Sequence, residues 1–212
     1  YHEVAEWIQK IKENEKYCSK LKDIWALTVL TSKNHDLVNI LKHHASLGIH
    51  STQMKLVRLS KNHPLAITRE NVGDIIRDYE ILVEFLCEQL MKGNSDYLRM
   101  FLNDNDYFGR IIIRMLLQES TIYRCGAGKT KFSVTAQGNF FPCDSFVGDD
   151  SFRVGTLRDG VDKEKTEAFW NVHVLNRPRC KSCWNRYSCG GDFYYNSKKV
   201  TRDIDGTDDF VR

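Results

Sequence analysis

Cys180-Lys181-Ser182-Cys183-Trp184-Asn185-Arg186-Tyr187-Ser188-Cys189-Gly190-Gly191 gathers three thiols within ten residues. A tight turn over Cys180-x-x-Cys183 presents two sulfurs to one metal ion or cluster. Cys189 returns from a short helical turn, and Gly190-Gly191 lets the backbone fold closely around the site. Upstream, Cys125 and Cys143 bracket a hairpin whose turn glycine, Gly138, lies five residues before Cys143. A lone C-x-x-C carries little information. Three cysteines at this spacing, a bracketed pair and flanking glycines point to metal. The ordinary alternative is a set of buried free thiols. The candidate ligands are therefore Cys125, Cys143, Cys180, Cys183 and Cys189.

Around these cysteines the second half of the chain reads as a small hairpin domain. Short strands are expected over Lys131 to Ala136, Asn139 to Pro142 and Phe152 to Leu157, with one helix from about Lys163 to Val172.

The first half has a different grammar. Val4, Trp7, Ile8 and Ile11 form a helical stripe. Ala26 to Thr31 is a continuous apolar, β-branched run suited to a strand buried on both faces. Asn34 is placed to cap a helix carrying Leu37, Val38 and Leu41. Met54 to Leu59 reads as a second strand. Thr68 is placed to cap a long helix with Val72, Ile75, Ile76, Tyr79, Leu82, Val83, Leu86 and Leu90 on one face. Phe108, Ile111, Ile112, Met115 and Leu116 mark a further helix. Alternation of strand and helix predicts an α/β class with a parallel sheet. Two such strands leave bare edges, and the chain starts at Tyr1 rather than Met, so the expectation is a piece of a longer protein.

The chain has 212 residues, 42% hydrophobic, with net charge +3. That charge is too small to argue for nucleic acid. No apolar run approaches the roughly 20 residues that span a bilayer, and no signal-peptide pattern is present. Seven cysteines, an odd number, argue for metal or redox chemistry over a disulfide scaffold. The expected location is cytoplasmic, with neither nucleic acid nor membrane as partner.

Cys125-Gly126-Ala127-Gly128, Gly138-Asn139-Phe140-Phe141-Pro142-Cys143, Val154-Gly155-Thr156-Leu157 and the Cys180 to Gly191 stretch together resemble the SPASM domain of radical SAM peptide maturases, an auxiliary iron–sulfur cluster domain. The resemblance covers nearly everything after residue 122. Residues 1–121 look like the late strands and helices of the partial (β/α)6 radical SAM barrel that precedes such a domain, and Thr31-Ser32-Lys33-Asn34 is similar to the end of its fifth strand. The resemblance implies a C-terminal barrel portion followed, over 122–212, by a small cysteine-rich SPASM domain with β-hairpins. It implies one or two auxiliary 4Fe-4S clusters, with Cys180, Cys183 and Cys189 serving one and Cys125 and Cys143 the other. It further implies modification of a ribosomally made precursor peptide or protein by a thioether or carbon–carbon cross-link. S-adenosylmethionine belongs only to the full-length enzyme, with the missing N-terminal part of the barrel, because the C-x3-C-x2-C motif is absent from this chain.

Two positions depart from the family pattern. The residue four after Cys189 is Phe193 where the pattern has cysteine, and no cysteine follows Cys189; Val211 falls near the last ligand position. The competing functions are a non-catalytic metal-binding module that recognises a peptide or protein partner, and a domain stapled by one zinc ion on four of the five cysteines.

Other features carry ordinary readings. Gly126-Ala127-Gly128-Lys129-Thr130 looks like the end of a P-loop, but a helix precedes it and a strand follows, the reverse of the order that a phosphate site needs. His43, His44 and His50 are expected at solvated positions, and Cys18 and Cys87 as inert thiols. Tyr97, Tyr107 and Phe108 near Asn103-Asp104-Asn105-Asp106 either border a channel or pack around a polar loop. Arg177, Arg179, Lys181 and Arg186 form either a cationic surround for an anionic cluster or a solvated rim. Phe140, Phe141, Trp184, Tyr187, Tyr194 and Tyr195 either shield a cluster or form core.

Overall fold

The computed structural model describes residues 2–14, 16, 19–21, 23–57, 59 and 62–207. The protein is mixed α/β and divides into two compact units, Tyr1–Leu117 and Gln118–Arg212.

The first unit is built on one βαβ crossover. Strand β1 (Trp25–Leu30) pairs in parallel with β2 (Ser51–Leu56), with Leu30 opposite Leu56. Helices α1 (His2–Glu13) and α2 (Leu37–Ser46) flank β1 in sequence. After β2 come α3 (Val72–Met91), α4 (Asp96–Phe101) and α5 (Tyr107–Leu117). Leu30, Leu37, Leu41, Met54, Leu82, Leu86, Met100 and Phe101 form the core. Asp36, two residues beyond the expected Asn34, caps α2 by accepting the Asn39 amide at 3.1 Å. Thr68 does not cap α3 with its side chain. The N-cap is Asn71, whose Oδ1 accepts the Thr68 amide at 2.8 Å and folds the entry turn.

Three expectations need correction here. Strand β1 is buried on one face only: Trp25, Leu27 and Val29 are exposed, while Leu30 is buried. The reason is that, among the described residues, the sheet has two strands and its core side chains gather with α2, α3 and α4. Strand β2 begins at Ser51, three residues before Met54, because Thr52 is drawn into the core by hydrogen bonding. His44 supplies that bond and is buried rather than solvated. Its Nδ1 lies 2.8 Å from Thr52 Oγ1 and its Nε2 3.2 Å from Thr28 Oγ1, so one ring ties α2 to both strands. Burial, with a smaller contribution from neighbouring His43, holds its pKa below the ordinary value.

The Asn103 to Asp106 loop packs against β2. Asn103 Nδ2 donates to the Thr52 carbonyl at 2.7 Å, and the Met54 amide donates to Asp106 Oδ2 at 2.7 Å. Val57, of the opposite parity, donates to Leu30 of β1. Thr52 and Met54 therefore point away from β1, and side chains satisfy that edge of β2 as a further strand would.

The second unit carries an antiparallel sheet in the order β3-β4-β5-β6. Its strands are Ser133–Val134, Asn139–Phe141, Gly155–Thr156 and Gly160–Val161. They are shorter than expected, and β6 was not foreseen: Gly155 and Gly160 approach so closely that a Cβ on Gly155 would fall 2.1 Å from the Gly160 carbonyl oxygen. Helix α6 (Lys163–Asn171) is capped by Asp162, which accepts the amides of Glu164 and Lys165. Three short helices follow: α7 (Pro178–Lys181), α8 (Arg186–Cys189) and α9 (Tyr194–Thr201). The core is Ala127, Phe141, Phe146, Phe169, Tyr194 and Ile204. Its rings meet edge to face, as in Phe146–Phe169 at 5.9 Å and Phe169–Tyr194 at 5.3 Å between centroids. Among the described residues no helix is long and apolar enough to cross a membrane.

Candidate metal centre

Cys125 opens a tight loop. The amides of Lys129, Thr130 and Lys131 all donate to the Gly126 carbonyl, and the Gly128 amide donates to the Pro142 carbonyl at 3.0 Å. The loop is thereby fastened to the residue before Cys143. Gly128 is required, since a Cβ there would lie 2.6 Å from Phe169 Cγ. The same bonds dispose of the P-loop reading: the amides close on backbone carbonyls and form no cradle for phosphate. Cys143 precedes a short 3-10 turn over Asp144–Phe146. Cys125 and Cys143 both pack, half-buried, against the aromatic core. Burial pushes the Cys143 thiol up, and hydrogen bonds from Ser145 pull the other way.

Cys180 lies buried in α7. The Cys183 amide donates to the Cys180 carbonyl at 3.0 Å, which closes the C-x-x-C turn. Cys189 ends α8, and Gly190 takes the left-handed C-cap at φ 76°. A Cβ on Gly190 would fall 2.4 Å from the Tyr123 carbonyl oxygen, and Arg124 Nη1 donates to the Cys189 carbonyl at 3.3 Å. The Cys189 corner therefore rests on Tyr123-Arg124, directly ahead of Cys125.

None of the five cysteines is in a disulfide. Among the described residues, no three His, Cys, Asp or Glu side chains are grouped to hold a metal ion. The residue types present, five cysteines outside disulfides, a tight glycine corner and Arg177 as a buried cation with open N–H groups, are of the kind an anionic, sulfur-ligated group takes.

Several surrounding residues sit differently from expectation. Trp184 is 84% exposed and Tyr187 is also at the surface, so neither shields the cysteines. Phe193 is 42% exposed and lies under the Arg124 guanidinium, 4.4 Å from its centroid. It does not fill the space beside Cys125 and Cys143 as apolar packing; Tyr194, 2% exposed, is the ring in that core. Arg179 and Lys181 form a solvated rim, and Arg186 Nη1 donates to the carbonyls of Lys181 and Cys183. Arg177 is separate from them and buried. Cys87 is exposed on α3, and Cys18 and Val211 lie outside the described residues.

Lys129 reads in the sequence only as part of a P-loop look-alike, and Tyr194 only as a cluster shield or core ring; their pairing was not foreseen. Lys129 Nζ donates to the Tyr194 hydroxyl at 2.5 Å and lies 4.6 Å from the Tyr123 ring centroid. Burial is the main cause that pushes Lys129 down to about 8; Cys125 works against it and Arg177 with it. Burial also raises the Tyr194 hydroxyl well above its ordinary value. A Gly-Lys pair in a glycine-rich loop suggests phosphate before it suggests a cation sandwiched between tyrosines. No family model matches the chain, and no curated protein matches it.

Proposed function

We propose that the second unit is the auxiliary iron–sulfur domain of a radical SAM-type enzyme that modifies a precursor peptide, and that the first unit is the late part of its barrel. The observation that carries this reading is the packing of the Cys189 corner against Tyr123-Arg124, immediately ahead of Cys125. The parallel β1-α2-β2 crossover supports the barrel portion. When bound, an auxiliary cluster supplies an electron acceptor or a docking point for the peptide. Cys180, Cys183 and Cys189 hold it, with Cys125 and Cys143 as the second, two-thiolate site. Phe141, Phe146 and Phe169 keep water from the Cys125 and Cys143 side. The hydrogen-abstracting step belongs to a cluster whose C-x3-C-x2-C motif this sequence does not contain.

Phe193 favours a second reading. With no thiolate at that position, a metal-binding module that recognises a peptide or protein partner without catalysis accounts for the same cysteines.

Anaerobic reconstitution with iron and sulfide tests the leading reading. The expected result is about four irons and four sulfides per chain, with a gain of iron in Phe193→Cys. Binding of a single zinc ion without sulfide, under competition, overturns it in favour of a zinc staple.

A further inference from the structure

Helix α6, strand β6 and the loop from Gly128 to Phe132 border an open groove of about 650 Å³. Phe132 and Val161 give it apolar walls, and α6 lines one end of it with Glu167, Trp170 and Asn171. Glu167 stands three and four residues before the other two, so the helix carries all three on one side. Trp170 is 47% exposed, yet its ring is held in place. Tyr123 meets it edge to face at 6.0 Å between centroids, and the Tyr123 hydroxyl donates to the Trp170 carbonyl at 2.8 Å. The indole is thereby a fixed aromatic wall of the groove.

The polar groups beside the indole are open acceptors. Among the described residues, the Glu167 carboxylate and the Asn171 side-chain amide meet no partner. The two lysines of the groove do not serve this end. Lys129 Nζ turns inward to the Tyr194 hydroxyl and to the carbonyls of Ala127 and Phe169, with the Tyr123 ring centroid 4.6 Å away. Lys163 starts α6 beside Glu164, about 10 Å along the helix axis from Trp170. What complements this end is a flat cation on an apolar stem. A guanidinium stacks on an indole and turns its N–H edge to a carboxylate and an amide oxygen, while its methylenes lie on apolar walls. An ammonium, more strongly hydrated and without a plane, fits less well.

We propose that this groove is a binding site for an arginine side chain presented by a polypeptide partner, with the guanidinium over Trp170 and bonded to Glu167 and Asn171. The groove is open along α6 and admits a chain beside the side chain, which favours a polypeptide over the free amino acid. The site needs no metal, so the inference stands apart from the iron–sulfur reading.

The test uses the whole chain and three blocked peptides, acetyl-Gly-Arg-Gly-amide and its counterparts with citrulline or glutamate in place of arginine. Titrations are followed by nuclear magnetic resonance at the Trp170 indole N–H and the Asn171 backbone amide. The arginine peptide is expected to shift both saturably. Citrulline keeps the shape without the charge and binds about tenfold more weakly; the glutamate peptide shifts neither. Glu167→Gln and Trp170→Leu each weaken the arginine peptide about tenfold. Glu80→Gln, which removes an exposed acid of α3, leaves it unchanged. Should Trp170→Leu not fold, Glu167→Gln carries the test. No saturable shift with arginine, equal affinity for arginine and citrulline, or wild-type affinity in Glu167→Gln overturns the site. Free arginine that binds as tightly as the blocked peptide overturns the polypeptide partner.

Discussion

The carboxylate of Asp106 accepts the Met54 amide at 2.7 Å through Oδ2 and the Gly109 amide at 2.9 Å through Oδ1. One buried side chain thereby closes the free edge of β2 and starts α5. Burial raises its pKa, while the amide bonds and Arg110 work in the opposite direction. Asp106→Ala leaves two buried amides without acceptors. It is expected to cost about 3 kcal/mol in urea unfolding and to speed hydrogen exchange at Met54. Exchange at Met54 equal to wild type would sink the edge-closing role.

His44 makes the first unit sensitive to acid. Its pKa is lowered in the fold, so the unfolded chain binds the proton first as pH falls. Stability is fully present above about 6.5, the ordinary histidine value, and is lost below it down to the folded pKa, by at most ~1.4 kcal/mol per pH unit. His44→Gln keeps polar groups facing Thr28 and Thr52 and removes the titration. Urea unfolding of both proteins between about pH 7.5 and 5 should show a slope that the variant lacks.

Lys129 is expected to titrate near its depressed value of about 8 in the metal-free protein. The folded pKa lies below the unfolded one, so this contribution to stability is full above about 10.4 and declines as pH falls toward about 8. Carbon chemical shifts of the lysine side chains report it directly. Lys129 titrating with the bulk of the lysines would contradict its burial between Tyr123 and Tyr194.

Gly190→Ala places a methyl 2.4 Å from the Tyr123 carbonyl oxygen at a φ of 76°. The expected destabilisation is about 1–3 kcal/mol, with reduced iron uptake because the Cys189 corner moves off Tyr123-Arg124. Gly148→Ala is the control: it shares a positive φ but meets nothing within 4 Å. Equal iron uptake in the two variants would remove the packing argument and leave backbone strain alone.

Local pattern was enough for the βαβ grammar of the first half, the hairpin character of the second, helix α6 and the cysteine constellation. Each depends on periodicity, turn chemistry or spacing within a few residues. The start of β2 slipped because a residue of another element intervened, and the caps slipped because a competing local side chain bonded the helix entry. Thr52 entered the strand because His44 bonds it, and Asp36 displaced Asn34 at the cap because its carboxylate reaches the Asn39 amide.

The sequence by itself determined that five thiols cluster in the last ninety residues, with glycines to fold around them. Tertiary structure alone decided which neighbours matter. Four basic residues close together in sequence look alike as a string, yet Arg177 is buried while Arg179 and Lys181 face water. Tyr194 and Phe193 are adjacent aromatics, yet one is core and the other lies under Arg124 at the surface. The physical reason is direction: spacing says how far apart two residues are along the chain, while burial depends on which way the backbone turns each side chain and on what other segments bring against it.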